Sequence, residues 1–229
     1  VKGSLRGRSA ILPRLPEHLS RLLFASAEPR HLEASEVLFA AGDTGDGCYR
    51  LERGLLKVVI SSPQGDERIL AILSPGSIAG ELALIDGRPR SASVVAVRAC
   101  GLSFVSHALF EECTEQHPEI YRYLVNVLAA RLREADAALA AISFMTVKAR
   151  LARTLLELGE LLGEKDVTGH VVIRHKINRD DLAAMAGVAR ENVSRVISDW
   201  KRRKVIIRSS GYYCLSDTTV LKQSVDPGP

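Results

Sequence analysis

The chain has 229 residues, 46% of them hydrophobic and 25% charged, and a net charge of +4, which is the composition of a soluble globular protein of one large or two small domains. No run approaches the roughly 20 apolar residues that span a bilayer. The N-terminal Lys2, Arg6, Arg8, Pro13 and Pro16 leave no apolar signal segment, so the expected location is cytoplasmic, with no membrane partner.

The charge is uneven. Residues 1–145 hold 16 Lys and Arg against 17 Asp and Glu, whereas residues 146–229 hold 15 against 10. A positive final third suits a nucleic-acid partner. Cys48, Cys100, Cys113 and Cys214 are scattered without CxxC spacing, and the six histidines form no HxxxH or HExxH pattern. Free or structural thiols and no metal are therefore expected. There is no GxSxG and no paired arrangement of carboxylates, which argues against an enzyme.

In chain order, Pro16 to Ala27 predicts a short helix. From about Val37 to Phe104, short apolar runs alternate with turns at Gly42-Asp43, Gly45 to Gly47, Gly54, Pro63 to Gly65 and Pro75-Gly76. Strands at hairpin spacing with this turn chemistry predict an antiparallel roll or barrel.

Residues 80–94, GELALIDGRPRSASV, interrupt the strands. A helical turn starting at Gly80 would aim free N–H groups at an anion. Arg90 can donate two parallel hydrogen bonds to phosphate oxygens, and Glu81 can accept from a sugar hydroxyl. Ser91 and the N–H of Ala92 could complete a phosphate cradle. The bland alternative is a surface Glu81–Arg90 ion pair beside a glycine turn. The order of about a dozen residues resembles the phosphate-binding cassette of cyclic-nucleotide-binding domains. That resemblance implies Glu81 on a ribose 2′-hydroxyl, Arg90 on the cyclic phosphate, and Gly80, Leu82, Ser91 and Ala92 around the ligand. Ala79 departs from it, standing where the family commonly has an aromatic residue.

After His117-Pro118 the period changes. Tyr121, Val125, Leu128, Leu132, Ala135, Leu139 and Ile142 follow a 4,3 spacing over three heptads, the seam of a parallel coiled coil. An amphipathic helix packed on its own domain is the alternative. Thr146 or a neighbour is expected to end this helix, with a domain boundary near Phe144. A second amphipathic helix then closes at Gly163, residues 164–170 form a polar loop, and VVIRHKI predicts a strand.

Asn178 can cap the helix NRDDLAAMAG with Asp181 three residues on, and Gly187 ends it. In the following helix Val193, Val196, Ile197 and Trp200 make one apolar stripe. Arg190, Glu191, Ser194 and Arg195 lie opposite, and these residue types read base edges. Arg179 is a candidate phosphate contact. Lys201 to Lys204 either bind phosphate or complement the helix dipole. VIIRSSGYYCLSD predicts two strands around a Ser-Gly turn, a wing.

Roll, long helix and winged helix in this order resemble the catabolite activator and fumarate-nitrate reductase regulator family. The implied fold is α+β: an N-terminal antiparallel β-roll (1–118), a long dimerisation helix (119–145) and a C-terminal winged helix-turn-helix (146–229). The implied function is a cyclic-nucleotide-responsive homodimeric transcription regulator on palindromic DNA with TGT-type half-sites. RExxxR matches one branch and ExxSR the other, while Ala189 lacks the usual capping hydroxyl. The implied partners are double-stranded DNA, the nucleotide, a second copy and RNA polymerase. Arg131 aligns with an arginine that pairs with the cassette glutamate; otherwise it is a solvated helix charge. Ala135 and Asp136 align with the residues that meet adenine, and Asp136 could also accept from guanine, which leaves cyclic GMP open beside cyclic AMP. No cofactor beyond this allosteric ligand is expected. None of the cysteines lies in the first 47 residues, where oxygen-sensing relatives gather iron–sulfur ligands. A regulator of the same fold that senses redox state, haem or an organic effector, its cassette unused, is the alternative.

Overall fold

The computed structural model describes residues 15–226. The reading of the N-terminal residues before Leu15 and the outer ends of the first and last expected domains lie outside the described residues. The described residues divide into two compact units, 15–134 and 135–226.

In the first unit, helix α1 (Glu17–Leu23) precedes six strands: β1 (Glu28–Leu32), β2 (Val37–Phe39), β3 (Gly47–Ser61), β4 (Glu67–Leu73), β5 (Ile78–Ala79) and β6 (Ser93–Ser106). All pairings are antiparallel, in the order β1-β6-β3-β4, with β2 also on β6 and β5 also on β3. The long strands β3 and β6 run together from Gly47↔Ser106 to Val59↔Ser93, with register shifts between Leu51 and Leu56. Such irregularities bend a sheet and increase its twist, which lets two strands of 15 and 14 residues curl into a roll. Tyr49, Leu51, Leu56, Leu73, Val94, Ala96, Leu102 and Phe104 fill its interior.

The strand region starts earlier than the apolar pattern indicates. β1 is EPRHL, almost wholly exposed, and pairs at the edge through Glu28↔Phe104 to Leu32↔Cys100. Its backbone bonds carry it without an apolar face. Helix α2 (Glu81–Asp86) interrupts the roll, and α3 (His107–Gln116), capped by Ser106, leads into α4 (Glu119–Phe144). Ile120 and Leu124 of α4 pack with α1, α3 and the end of β6. The heptad positions point elsewhere: Tyr121, Val125, Leu132, Leu139 and Ile142 are exposed.

The break expected at Thr146 or a neighbour falls at Met145 and Thr146, after α4 stops at Phe144. Thr146 then caps α5 (Val147–Leu162) by accepting from the Ala149 N–H at 3.2 Å, the acceptor that a free helix start needs. The expected polar loop is partly a strand: β7 (Gly163–Lys165) pairs with β8 (Val171–Ile173), and β8 is shorter than VVIRHKI. Helices α6 (Arg179–Ala186) and α7 (Arg190–Arg202) follow. The four-stranded sheet is completed by β9 (Ile206–Ser209) and β10 (Tyr212–Leu215), in the order β7-β8-β10-β9. Ser210 and Gly211 both have positive φ, the signature of the tight turn that suits a right-twisted hairpin. A last helix, α8 (Thr218–Val225), is capped by Asp217 and was not indicated by the apolar pattern. Trp200, Tyr213, Leu151, Leu155, Leu182 and Ile197 form the core. Among the described residues no helix is long and apolar enough to cross a membrane.

Candidate functional site

In the roll, Gly80 has φ +88° and precedes α2 directly. A Cβ there would lie 2.4 Å from Nη1 of Arg90, so only glycine admits this close approach. Arg90 is 4% exposed. Its Nη1 donates to the Gly80 carbonyl at 2.7 Å; Nη2 donates to Asp46 Oδ1 at 2.8 Å and to the Gly47 carbonyl at 2.9 Å. The guanidinium carbon sits 4.3 Å from the centre of the Phe39 ring, within cation–π range. Nε is buried and has no partner.

Glu81 is 1% exposed. The bland surface pair with Arg90 does not form; instead Arg131 of α4 donates through Nη1 to Glu81 Oε1 and through Nη2 to the Ile78 carbonyl at 2.9 Å. Burial pushes the Glu81 carboxyl up from its ordinary value, while the positive charge and hydrogen bond of Arg131, and then Arg90, pull it back. The other oxygen, Oε2, is buried without a partner. An unpaired buried acceptor costs free energy until something donates to it.

Arg90 and Glu81 both line one open recess. Gly80, Glu81, Leu82, Arg90, Ser91, Ala92 and Arg131 line it together with apolar groups such as Phe39 and Val58. Ser91 is exposed and Ala92 buried. Ala135 and Asp136 are exposed residues of α4 that belong to the second unit. Sequence reasoning missed Asp46, Gly47 and Phe39, which hold the guanidinium from β2 and the start of β3. The carboxylate in GDTGDG was the one available signal. Cys48 is enclosed beside them, and burial foremost, then the Glu81 charge, push its thiol up to about 12.

In the second unit Asn178 accepts from the Asp181 N–H at 2.7 Å and Asp181 returns the bond, forming the reciprocal cap of α6. Gly187 closes α6 with φ 62°, and its carbonyl accepts from Arg150 Nη1 of α5 at 2.8 Å. The turn between α6 and α7 is thus held at its Gly187 end. Val193, Ile197 and Trp200 are fully buried, which turns Arg190, Glu191 and Arg195 to solvent. Arg190 pairs with Asp180 at 2.9 Å, and Arg179 donates to the Ser194 hydroxyl at 3.1 Å. Ala189 provides no side-chain cap. In the basic run after Trp200, Arg202 and Arg203 both face Asp199, at 2.5 and 3.7 Å.

A roll with a buried arginine and carboxylate at a recess, followed by a winged helix-turn-helix with a polar second helix, defines a DNA-binding regulator that carries a nucleotide-binding domain. The two parts match family models separately: the cyclic nucleotide-binding domain over residues 29–117 and the Crp-like helix-turn-helix domain over residues 149–224. The cAMP-activated global transcriptional regulator Vfr of Pseudomonas aeruginosa is 31% identical over 199 residues, covering 85% of this chain and 91% of that protein. The cyclic AMP receptor protein of Thermus thermophilus is 33% identical over 187 residues, covering 81% and 82%. A solved transcriptional regulator of the CRP/FNR family from Thermus thermophilus superposes with a TM-score of 0.74 at 29% identity, over 87% of this chain and 98% of that one. The chain belongs to the CRP/FNR family of transcription regulators, which are not enzymes.

Proposed function

We propose that this regulator is a homodimer whose DNA binding responds to a cyclic purine nucleotide, cyclic AMP in the first place. One observation carries the reading: Glu81 and Arg90 both line one recess, and each keeps a buried polar atom, Oε2 and Nε, without a hydrogen-bond partner. An acceptor beside a cation is the complement of a ribose hydroxyl beside a cyclic phosphate. Gly80, Leu82, Ser91 and Ala92 would surround the phosphate, and Arg131 would hold Glu81 in place. The names of the two relatives above support cyclic AMP. Asp136, an acceptor for the adenine amino group or for the N1–H and N2–H of guanine, keeps cyclic GMP within the proposal.

On the DNA side, Arg190, Glu191, Ser194 and Arg195 would read base edges from the start of α7, with Arg179 toward the phosphates. Two copies joined along the exposed α4 seam would span palindromic half-sites about 34 Å apart. Contact with RNA polymerase and a cytoplasmic location belong to the same proposal.

The test is operator binding with and without each nucleotide at stated salt, because ionic contacts make affinity salt-dependent. Cyclic AMP should tighten binding, and Arg90→Leu should abolish that response while sparing basal binding. An undiminished response in the variant removes Arg90 from the site.

A second reading has its own observation. Both terminal nitrogens of Arg90 already donate within the protein, Nη1 to Gly80 and Nη2 to Gly47 and Asp46, as an unused cassette would have them. A regulator of the same fold would then answer to redox state, haem or an organic effector. An absorption band in the purified protein, together with no calorimetric heat from either nucleotide, would favour it.

A further inference from the structure

We infer that Asp166, His170 and Cys214 form a binding site for a divalent transition-metal ion of the zinc class. The three come from two hairpins of the second unit: Asp166 and His170 from the turn between β7 and β8, and Cys214 from β10, where it pairs with Val172. A carboxylate oxygen, a ring nitrogen and the thiol all lie within 4.8 Å of one another. Asp166 Oδ2 and His170 Nδ1 are 3.9 Å apart. Tetrahedral zinc bonds of about 2.0–2.3 Å bring neighbouring ligand atoms to roughly 3.3–3.8 Å, so closing on an ion needs side-chain adjustment and no change in the strands.

The carboxylate is held for this role. Its Oδ1 accepts from the Thr168 N–H at 2.8 Å, the Thr168 hydroxyl at 2.6 Å and the His170 N–H at 3.0 Å, which leaves Oδ2 toward the histidine. The Thr168 hydroxyl also lies 2.8 Å from His170 Nδ1, a contact that an ion bound through Nδ1 displaces. Of the three cysteines in strands, Cys100 and Cys214 differ in their partners. Cys100 Sγ bonds the Arg98 and Leu55 carbonyls at 3.0 and 3.4 Å, whereas Cys214 makes no hydrogen bond among the described residues. Cys214 is half-buried, so a small ion can reach it.

Donor type selects the metal. Imidazole and thiolate suit zinc and its neighbours, while magnesium and calcium take oxygen ligands. Three protein ligands leave a fourth tetrahedral position for water or a further donor. Because Cys214 belongs to the wing hairpin β9–β10, an ion would tie the wing to the β7–β8 hairpin. This inference does not rest on the nucleotide reading.

The experiment uses untagged, reduced, full-length protein competing with a chromophoric chelator for zinc, and the visible and near-ultraviolet spectrum after adding cobalt. Wild type should take one zinc ion per chain, and cobalt should give a thiolate charge-transfer band. Cys214→Ser should remove that band and weaken zinc beyond the roughly 10–100-fold that outer-partner changes produce; Cys113→Ser should do neither. His170→Gln, whose backbone N–H keeps its bond to Asp166, carries the same test should the serine variant misfold. Absent zinc binding in wild type, or equal zinc affinity in Cys214→Ser and His170→Gln, would overturn the inference.

Discussion

At Gly80 a single hydrogen atom stands where any other residue would place a carbon against the Arg90 guanidinium. Both reasons for glycine act together: the left-handed backbone costs other residues about 1–2 kcal/mol, and the Cβ would push Arg90 off the Gly80 carbonyl. Gly80→Ala is therefore expected to lower the melting temperature modestly and nucleotide affinity by at least about tenfold, which calorimetry and thermal melts would show. Unchanged affinity would mean that the seat of Arg90 does not matter to the ligand. Much of this site was legible, because Glu81 and Arg90 lie in one short segment and their chemistry is explicit. Asp46 was not, since it lies 44 residues from the arginine it holds and reads locally as a turn aspartate. The Asp166, His170 and Cys214 group was hidden for the same reason: two ligands are local, and the third arrives through sheet pairing.

Among the elements, α4 shows how one helix serves two faces. Ile120, Leu124 and Val127 are buried within the first unit, while Leu132 and Leu139 are 64% and 65% exposed. A soluble protein gains nothing by exposing a regular apolar stripe, and a 3.5-residue repeat is the pattern that a second helix of the same kind covers. Glutamate at both Leu132 and Leu139 should leave the folded chain within about 0.5 kcal/mol of wild type, as exposed substitutions do. If the proposed dimer forms along this seam, it should also halve the mass measured by analytical ultracentrifugation. Retention of a dimer would place the interface elsewhere. Strong periodicity made α4, α5, α7 and the central strands readable from sequence. The elements that escaped are those lacking it: β1 is exposed along nearly all its length, β7 is three residues defined by its partner, and α8 is eight residues with Asp217 as its cap.

For the whole molecule, the proposed response to a nucleotide requires a coupling free energy between a recess in one unit and a recognition helix in the other. A ligand shifts such an equilibrium only through its different affinities for the competent and incompetent arrangements, so the free protein should bind its operator weakly rather than never. The coupling is also reciprocal: if cyclic AMP raises operator affinity by some factor, operator DNA must raise cyclic AMP affinity by the same factor, typically about 5–150-fold. Titrating labelled nucleotide into the protein alone, with operator and with random DNA, measures this directly. The operator should tighten nucleotide binding by the factor found in the reverse experiment, and random DNA, held mainly by phosphate contacts, by much less. Equal nucleotide affinity in all three titrations would show that the recess and the recognition helix do not communicate, whatever each binds alone.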